Sequence, residues 1–148
     1  MKKIRIISVG SLSPLFRQLY KEYENSVKKF CLLETVEIKE FSQIKNIQEK
    51  KQKETEKIKS FLTSNEKVII FSLKGKQINS EKFSQIINSI EQITFIIGGS
   101  DGIDEDLFDD KNKISFSQMT FPHQLFKIML TEQIYRAFMI IKNKKYHK

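Results

Sequence analysis

Three short isoleucine-rich runs constrain the fold of this chain most: KIRIISV at Lys3–Val9, KVIIFSL at 67–73 and QITFII at Gln92–Ile97. The last two are apolar over most of their length. Runs of that kind belong to strands buried on both faces, which occur in parallel sheets covered by helices. What lies between the runs should therefore be helical crossovers.

The intervening segments agree. Ser13 followed by Pro14 starts a helix as a capping residue with proline in the first turn, and Leu15, Leu19, Tyr23, Val27 and Phe30 continue it at helical spacing. Residues 33–38 alternate as a further strand. Residues 45–62 are highly charged, with only Ile44, Ile47, Ile58, Phe61 and Leu62 as an apolar stripe, and read as a solvated helix. Residues 80–90 form another helix, 114–116 a short strand, and 122–142 the longest and most apolar helix. Strand and helix in alternation imply an α/β fold, a mostly parallel sheet with helices on both faces. With 148 residues and no linker, repeat or low-complexity tract, the chain is expected to be one domain over 1–148.

Open parallel sheets bind ligands beyond the carboxyl ends of their strands. Two such ends stand out, FSLKG at 71–75 and IGGSDG at 97–102, the second holding three of the five glycines. Its GGxxG spacing is neither the dinucleotide fingerprint nor a phosphate-cradling P-loop, which also needs a Lys-Ser/Thr pair. A third candidate is the loop before Pro122, where a helix start directs free N–H groups outward beside His123. Glu132 and Arg136 lie four apart on that helix and are spaced to pair.

Charge is distributed unevenly. The chain carries a formal +8, which favours polyanions such as nucleic acid. Six acids crowd residues 101–110, whereas no acid follows Glu132 and the last stretch gathers Arg136, Lys142, Lys144, Lys145, His147 and Lys148. A basic tip holding Tyr146 and His147 suits phosphate contact with stacking on an unpaired base. Helix 122–142 is apolar around most of its circumference, so it is either deeply buried or packed on a partner. Because deep burial of a terminal helix is awkward in a small domain, a homodimer is expected. The single cysteine, Cys31, forms no internal disulfide, and the N-terminal apolar run is too short for a signal peptide or a membrane span. Both point to the cytoplasm, with no membrane partner. No Cys/His cluster suggests a metal, and no nucleophile-base-orienter set suggests a hydrolase.

FIIGGSDGI, then SFSQMTFPHQLFKIMLTEQIYRAF, then the terminal YHK resemble the RlmH family over essentially the whole chain. These are SPOUT-superfamily enzymes that methylate N3 of a pseudouridine in large-subunit (23S) ribosomal RNA with S-adenosyl-L-methionine. The resemblance implies a SPOUT-type fold with a C-terminal trefoil knot and an obligatory homodimer acting on ribosomal RNA, with the assembled ribosome as substrate. It implies cofactor contacts at Phe71, Gly99, Gln118, Met119, Thr120, Phe121, Pro122 and His123, largely through backbone groups. It also implies that the tail of one subunit reaches the cofactor site of the other. Catalytic roles then fall to Arg136, Tyr146 and His147: His147 as base, or Arg136 stabilising the anion, with Tyr146 on the target base. The sequence departs from the family at Phe71 (usually leucine), at Thr55 (commonly glycine) and before the tail, where KNKK replaces the usual Gly or Pro. Two other readings stand beside this one: a non-catalytic basic RNA- or ribosome-binding protein, and a SPOUT methyltransferase with a different RNA target.

Overall fold

The computed structural model describes residues 1–148, apart from the side chain of residue 111. The strands are β1 (Lys3–Val9), β2 (Leu32–Ile38), β3 (Lys67–Gln77), β4 (Gln92–Ile97) and β5 (Lys113–Ser115). The α-helices are α1 (Pro14–Val27), α2 (Ile47–Lys59), α3 (Ser80–Ser89) and α4 (His123–Ile141). The strands form one sheet in the order β2-β1-β4-β3-β5, with every neighbouring pair parallel. The order reverses between β1 and β4, which places the topological switch point there.

Strand alternation divides the apolar residues between two cores. Ile4, Ile6, Ile93, Phe95 and Ile97 face one side and pack with Val27 of α1, Phe83 and Ile87 of α3, and Leu130, Ile134 and Phe138 of α4. Ile7, Val9, Ile70 and Ile96 face the other side and meet Ile58 of α2 and Ile103. Helices therefore cover both faces, as the isoleucine runs required.

Four expectations need correction. First, α1 ends at Val27, so Phe30 lies beyond it and stacks on Phe138 at 5.5 Å between ring centroids. Cys31 follows in the core, where burial pushes its thiol up to about 11. Second, β3 does not stop at Leu73 but runs to Gln77, with a register shift between Phe71 and Lys76, both of which pair with Ile114. Its second half is polar because its neighbour there is only the three-residue β5.

Third, α2 is solvent-exposed over most of its length, but the face it buries is not the expected apolar stripe. Ile47 is exposed, whereas Lys50, Glu54 and Thr55 are buried beside Ile58. One fully buried isoleucine contributes only about 2 kcal/mol, so α2 is held largely by polar ties. Lys50 Nζ donates to Glu40 at 2.7 Å and Asp101 at 2.5 Å, and the Phe41 N–H donates to Glu54 at 2.9 Å. The Asp104 N–H donates to Thr55 Oγ1 at 2.9 Å. Fourth, α4 is buried chiefly within its own chain, flanked by α1 and α3, so its apolar girth does not by itself require a second subunit.

A buried charge ties these helices together. Lys127 of α4 is 2% exposed, yet its Nζ donates to Glu37 at 3.0 Å and lies 4.9 Å from the centre of the Tyr20 ring. Burial lowers the Lys127 pKa and pushes the Tyr20 hydroxyl up to about 12. Burial opposes ionisation of Glu37 too, but Lys127 and Arg17 outweigh it and hold the carboxyl below the usual range. Removing one partner of a buried pair strands the other, whereas an apolar isostere is often tolerated. Arg17 still pairs Glu37 at 3.1 Å, so Lys127→Ala is expected to cost about 2 kcal/mol and Lys127→Met less than about 1 kcal/mol, read by urea denaturation. Equal losses would show that the charge pair, not the packed volume, holds α4.

Candidate active site

The carboxyl ends of β3, β4 and β5 surround a cavity of about 740 Å³, a size that takes a nucleoside-sized ligand. Glycines close one wall. Gly98 leaves β4 so tightly that a Cβ there would sit 2.8 Å from Ile103 Cγ2, and Gly99 and Gly102 bridge each other in the turn that follows. The opposite wall is the loop from β5 to α4. It is shaped by Ser115, whose Oγ donates to the Ser117 carbonyl at 2.7 Å, and by the Met119 N–H, which donates to Ser117 Oγ at 3.0 Å. Phe71, Phe116 and Phe126 pack edge-to-face around the base, with centroids 4.9 to 5.0 Å apart for the two pairs involving Phe71. Phenylalanine at 71 is thus accommodated by aromatic neighbours.

The charge of this cavity is opposite to that of the chain. Asp101 and Glu105 line it, and among the described residues no lysine or arginine does, although the protein carries 26 of them. Ser72 Oγ donates to Glu105 at 2.5 Å, joining β3 to the acidic loop. Glu54 lies behind the glycine wall. One of its oxygens is buried without a hydrogen-bond partner, 3.6 Å from where a Cβ of Gly99 would stand, and burial raises its pKa.

Of the residues expected to bind a cofactor, Phe71, Gly99, Met119, Thr120, Phe121, Pro122 and His123 all line the cavity. Gln118 belongs to the same loop but is exposed and outside the lining. His123 opens α4 and stands over Gly10, its Nε2 3.4 Å from the Cβ position there. Among the described residues no group of three His, Cys, Asp or Glu is placed to hold a metal ion.

Arg136, Tyr146 and His147 form a second cluster elsewhere. Arg136 lies thirteen residues beyond His123 on α4, about 20 Å along the helix axis. The chain returns to Arg136 through a left-handed residue, Asn143 at φ 55. Its N–H donates to Ile140 O at 3.1 Å and that of Lys144 to Met139 O at 2.9 Å, the paired bonds of a Schellman cap. Asparagine tolerates this conformation, so Asn143 does what the missing glycine was expected to do.

Glu132 and Glu81 then fix the tip. Arg136 Nε and Nη2 donate to Glu132 at 3.0 and 2.6 Å, and Tyr146 Oη donates to the same oxygen at 3.2 Å. The Arg136 guanidinium lies 4.8 Å from the Tyr146 ring centre, and Tyr146 meets Tyr135 edge-on at 5.0 Å. Arg136 Nη1 is 3.1 Å from His147 Nδ1, and His147 Nε2 is 2.7 Å from Glu81. Arginine only donates, so Nδ1 accepts and Nε2 carries the proton given to Glu81. Glu132 was legible as the partner of Arg136. Glu81, Glu54 and Ser72 were not, because each meets its partner across more than ten intervening residues.

The family model described as "Predicted SPOUT methyltransferase" matches residues 1–147. The "Ribosomal RNA large subunit methyltransferase H" of Mycoplasmopsis agalactiae is 60% identical over 100% of both chains. The protein of that name from Mycoplasmopsis synoviae is 49% identical over 98% of this chain and 99% of its own. The one from Clostridium perfringens strain 13 is 43% identical, again over 98% and 99%. Among solved structures, the tRNA (m1G37) methyltransferase of Aquifex aeolicus superimposes with a TM-score of 0.54 at 15% identity, covering 91% of this chain and 70% of that one. That likeness concerns the fold alone. Residues 1–147 carry the family's pattern from end to end, and the chain belongs to the SPOUT methyltransferase family.

Proposed function

We propose that this single-domain enzyme transfers a methyl group from S-adenosyl-L-methionine to N3 of a pseudouridine in large-subunit (23S) ribosomal RNA, on assembled ribosomes in the cytoplasm. The observation that carries the reading is the cavity: nucleoside-sized, glycine-walled, and among the described residues bearing two carboxylates and no lysine or arginine. A phosphorylated cofactor would meet repulsion there, whereas a sulfonium would not. The full-length relatives named for large-subunit ribosomal RNA support the substrate, and the basic tip supports contact with its phosphates.

The cofactor, when bound, supplies an electrophilic methyl group. The Gly98–Gly99 backbone and the loop 115–123 would hold it, with Phe71 and Phe126 beneath. The rest falls to the chain's own groups. The imide N3 of a uracil-type base must lose its proton before it attacks. Arg136 now occupies the Nδ1 lone pair of His147. On transfer of Arg136 to a carbonyl oxygen of the base, that lone pair is released to take the N3 proton. Glu81, on Nε2, stabilises the imidazolium that results, and Tyr146 stacks on the base. Because tip and cavity lie about 20 Å apart along α4, the tip of one subunit serves the cavity of another in a homodimer, consistent with a knotted C-terminal half. Exposed Leu15, Leu19 and Leu125 on the α1/α4 side suit that contact.

Calorimetric titration with S-adenosyl-L-methionine is expected to show saturable binding, and labelled methyl to pass to ribosomes lacking the modification. An absence of cofactor binding would favour a non-catalytic RNA-binding role instead. Binding without transfer to ribosomes, but with transfer to another RNA, would reassign the substrate.

A further inference from the structure

The acidic loop supplies more than a turn. We infer that Glu105 makes the cavity discriminate by charge, binding the sulfonium form of the cofactor more tightly than the neutral thioether left after transfer. This rests on the cofactor reading above and adds to it a residue and a property of product release.

Two carboxylates line the cavity, and they are not equivalent. Asp101 is exposed to solvent and pairs at 2.5 Å with Lys50, which it shares with Glu40, so its charge is screened and partly compensated. Glu105 is half-buried. Its neighbours are the neutral Ser72 hydroxyl at 2.5 Å and Lys113 at 3.8 Å, and the latter pairs more closely with Asp110 at 2.7 Å. Among the described residues both contacts use Oε1, which leaves Oε2 as an acceptor. Ser72 also fixes the side chain on the β3 side of the cavity, beside Phe71. A fixed carboxylate in a partly apolar wall acts on a cation through a lower effective dielectric than water provides. On the neutral sulfur of the thioether it has no net charge to act on. The difference favours entry of the charged form and release of the product.

The test is calorimetric and needs no turnover. S-adenosyl-L-methionine and S-adenosyl-L-homocysteine are titrated into the wild-type protein, Glu105→Gln, and Asp106→Asn, which makes the same charge change on the same loop outside the cavity. Glutamine still accepts from Ser72, so the loop is retained, and melting curves check it. Glu105→Gln is expected to lose about tenfold in affinity for the sulfonium and less than about twofold for the thioether, with Asp106→Asn unchanged for both. Equal losses for the two ligands, no loss for either, or an equal effect of Asp106→Asn would overturn the inference. A wild-type protein that binds neither ligand would overturn the cofactor reading and this one with it.

Discussion

Deleting residues 144–148 is expected to lower methyl transfer by at least about 100-fold while leaving affinity for S-adenosyl-L-methionine within roughly threefold. The two halves of this expectation come from different places in the fold. The cavity is complete without the tail, since no residue beyond Phe126 lines it. The tip, by contrast, gathers the cation, the phenol and the imidazole that handle the base. His147→Ala in the full-length chain should reproduce most of the loss without altering the Arg136–Glu132 pair. A stronger test uses mixed dimers. Tailless subunits combined with subunits carrying Thr120→Trp, which fills the cavity mouth, should recover activity that neither possesses alone. Wild-type turnover by the tailless protein would remove the tip from catalysis. Failure of the mixture to recover would confine tip and cavity to one subunit.

The strands were legible because burial on both faces demands runs rich in apolar residues, and Lys3–Val9 and Gln92–Ile97 end where their isoleucine-rich runs end. The three stretches that line the cavity were legible as two strand ends and a helix start, whereas the individual contacts within them were reached by resemblance. What escaped reading has physical causes. Lys50, Glu54 and Thr55 look solvent-bound because their residue types are, yet their partners at Glu40, Phe41, Asp101 and Asp104 reach them through the sheet topology. The polar half of β3 looked like a loop because its partner strand is three residues long. The tail looked hingeless because the residue that turns it is asparagine, not glycine. At Lys50, Glu54 and Thr55 polarity was mistaken for exposure, because the groups that compensate them lie outside the helix.

The second large effect is expected at one of those poorly legible places. Gly75→Ala should destabilise the protein by about 3 kcal/mol and lower Tm by roughly 10 °C. Phe71 and Lys76 both pair with Ile114, so the residues between them bow away and return at Gly75. There the two backbones approach so closely that a Cβ would lie 2.6 to 2.7 Å from the N, Cα and C atoms of Ile114. These are main-chain atoms, which have no alternative rotamer to retreat into, so β5 itself must move. β5 is short and leads straight into the loop 115–123, and a shift there carries the cavity wall with it. Whatever fraction still folds should therefore bind the cofactor more than about tenfold more weakly, a fraction of the energy that β5 has to absorb. Gly102→Ala provides the contrast. It has φ +82 but open space around it, so its cost is conformational and stays near about 1 kcal/mol. Should Gly75→Ala melt within two or three degrees of the parent, β5 would be free to slide on β3, and the cavity wall would have to be held by the serine turns alone.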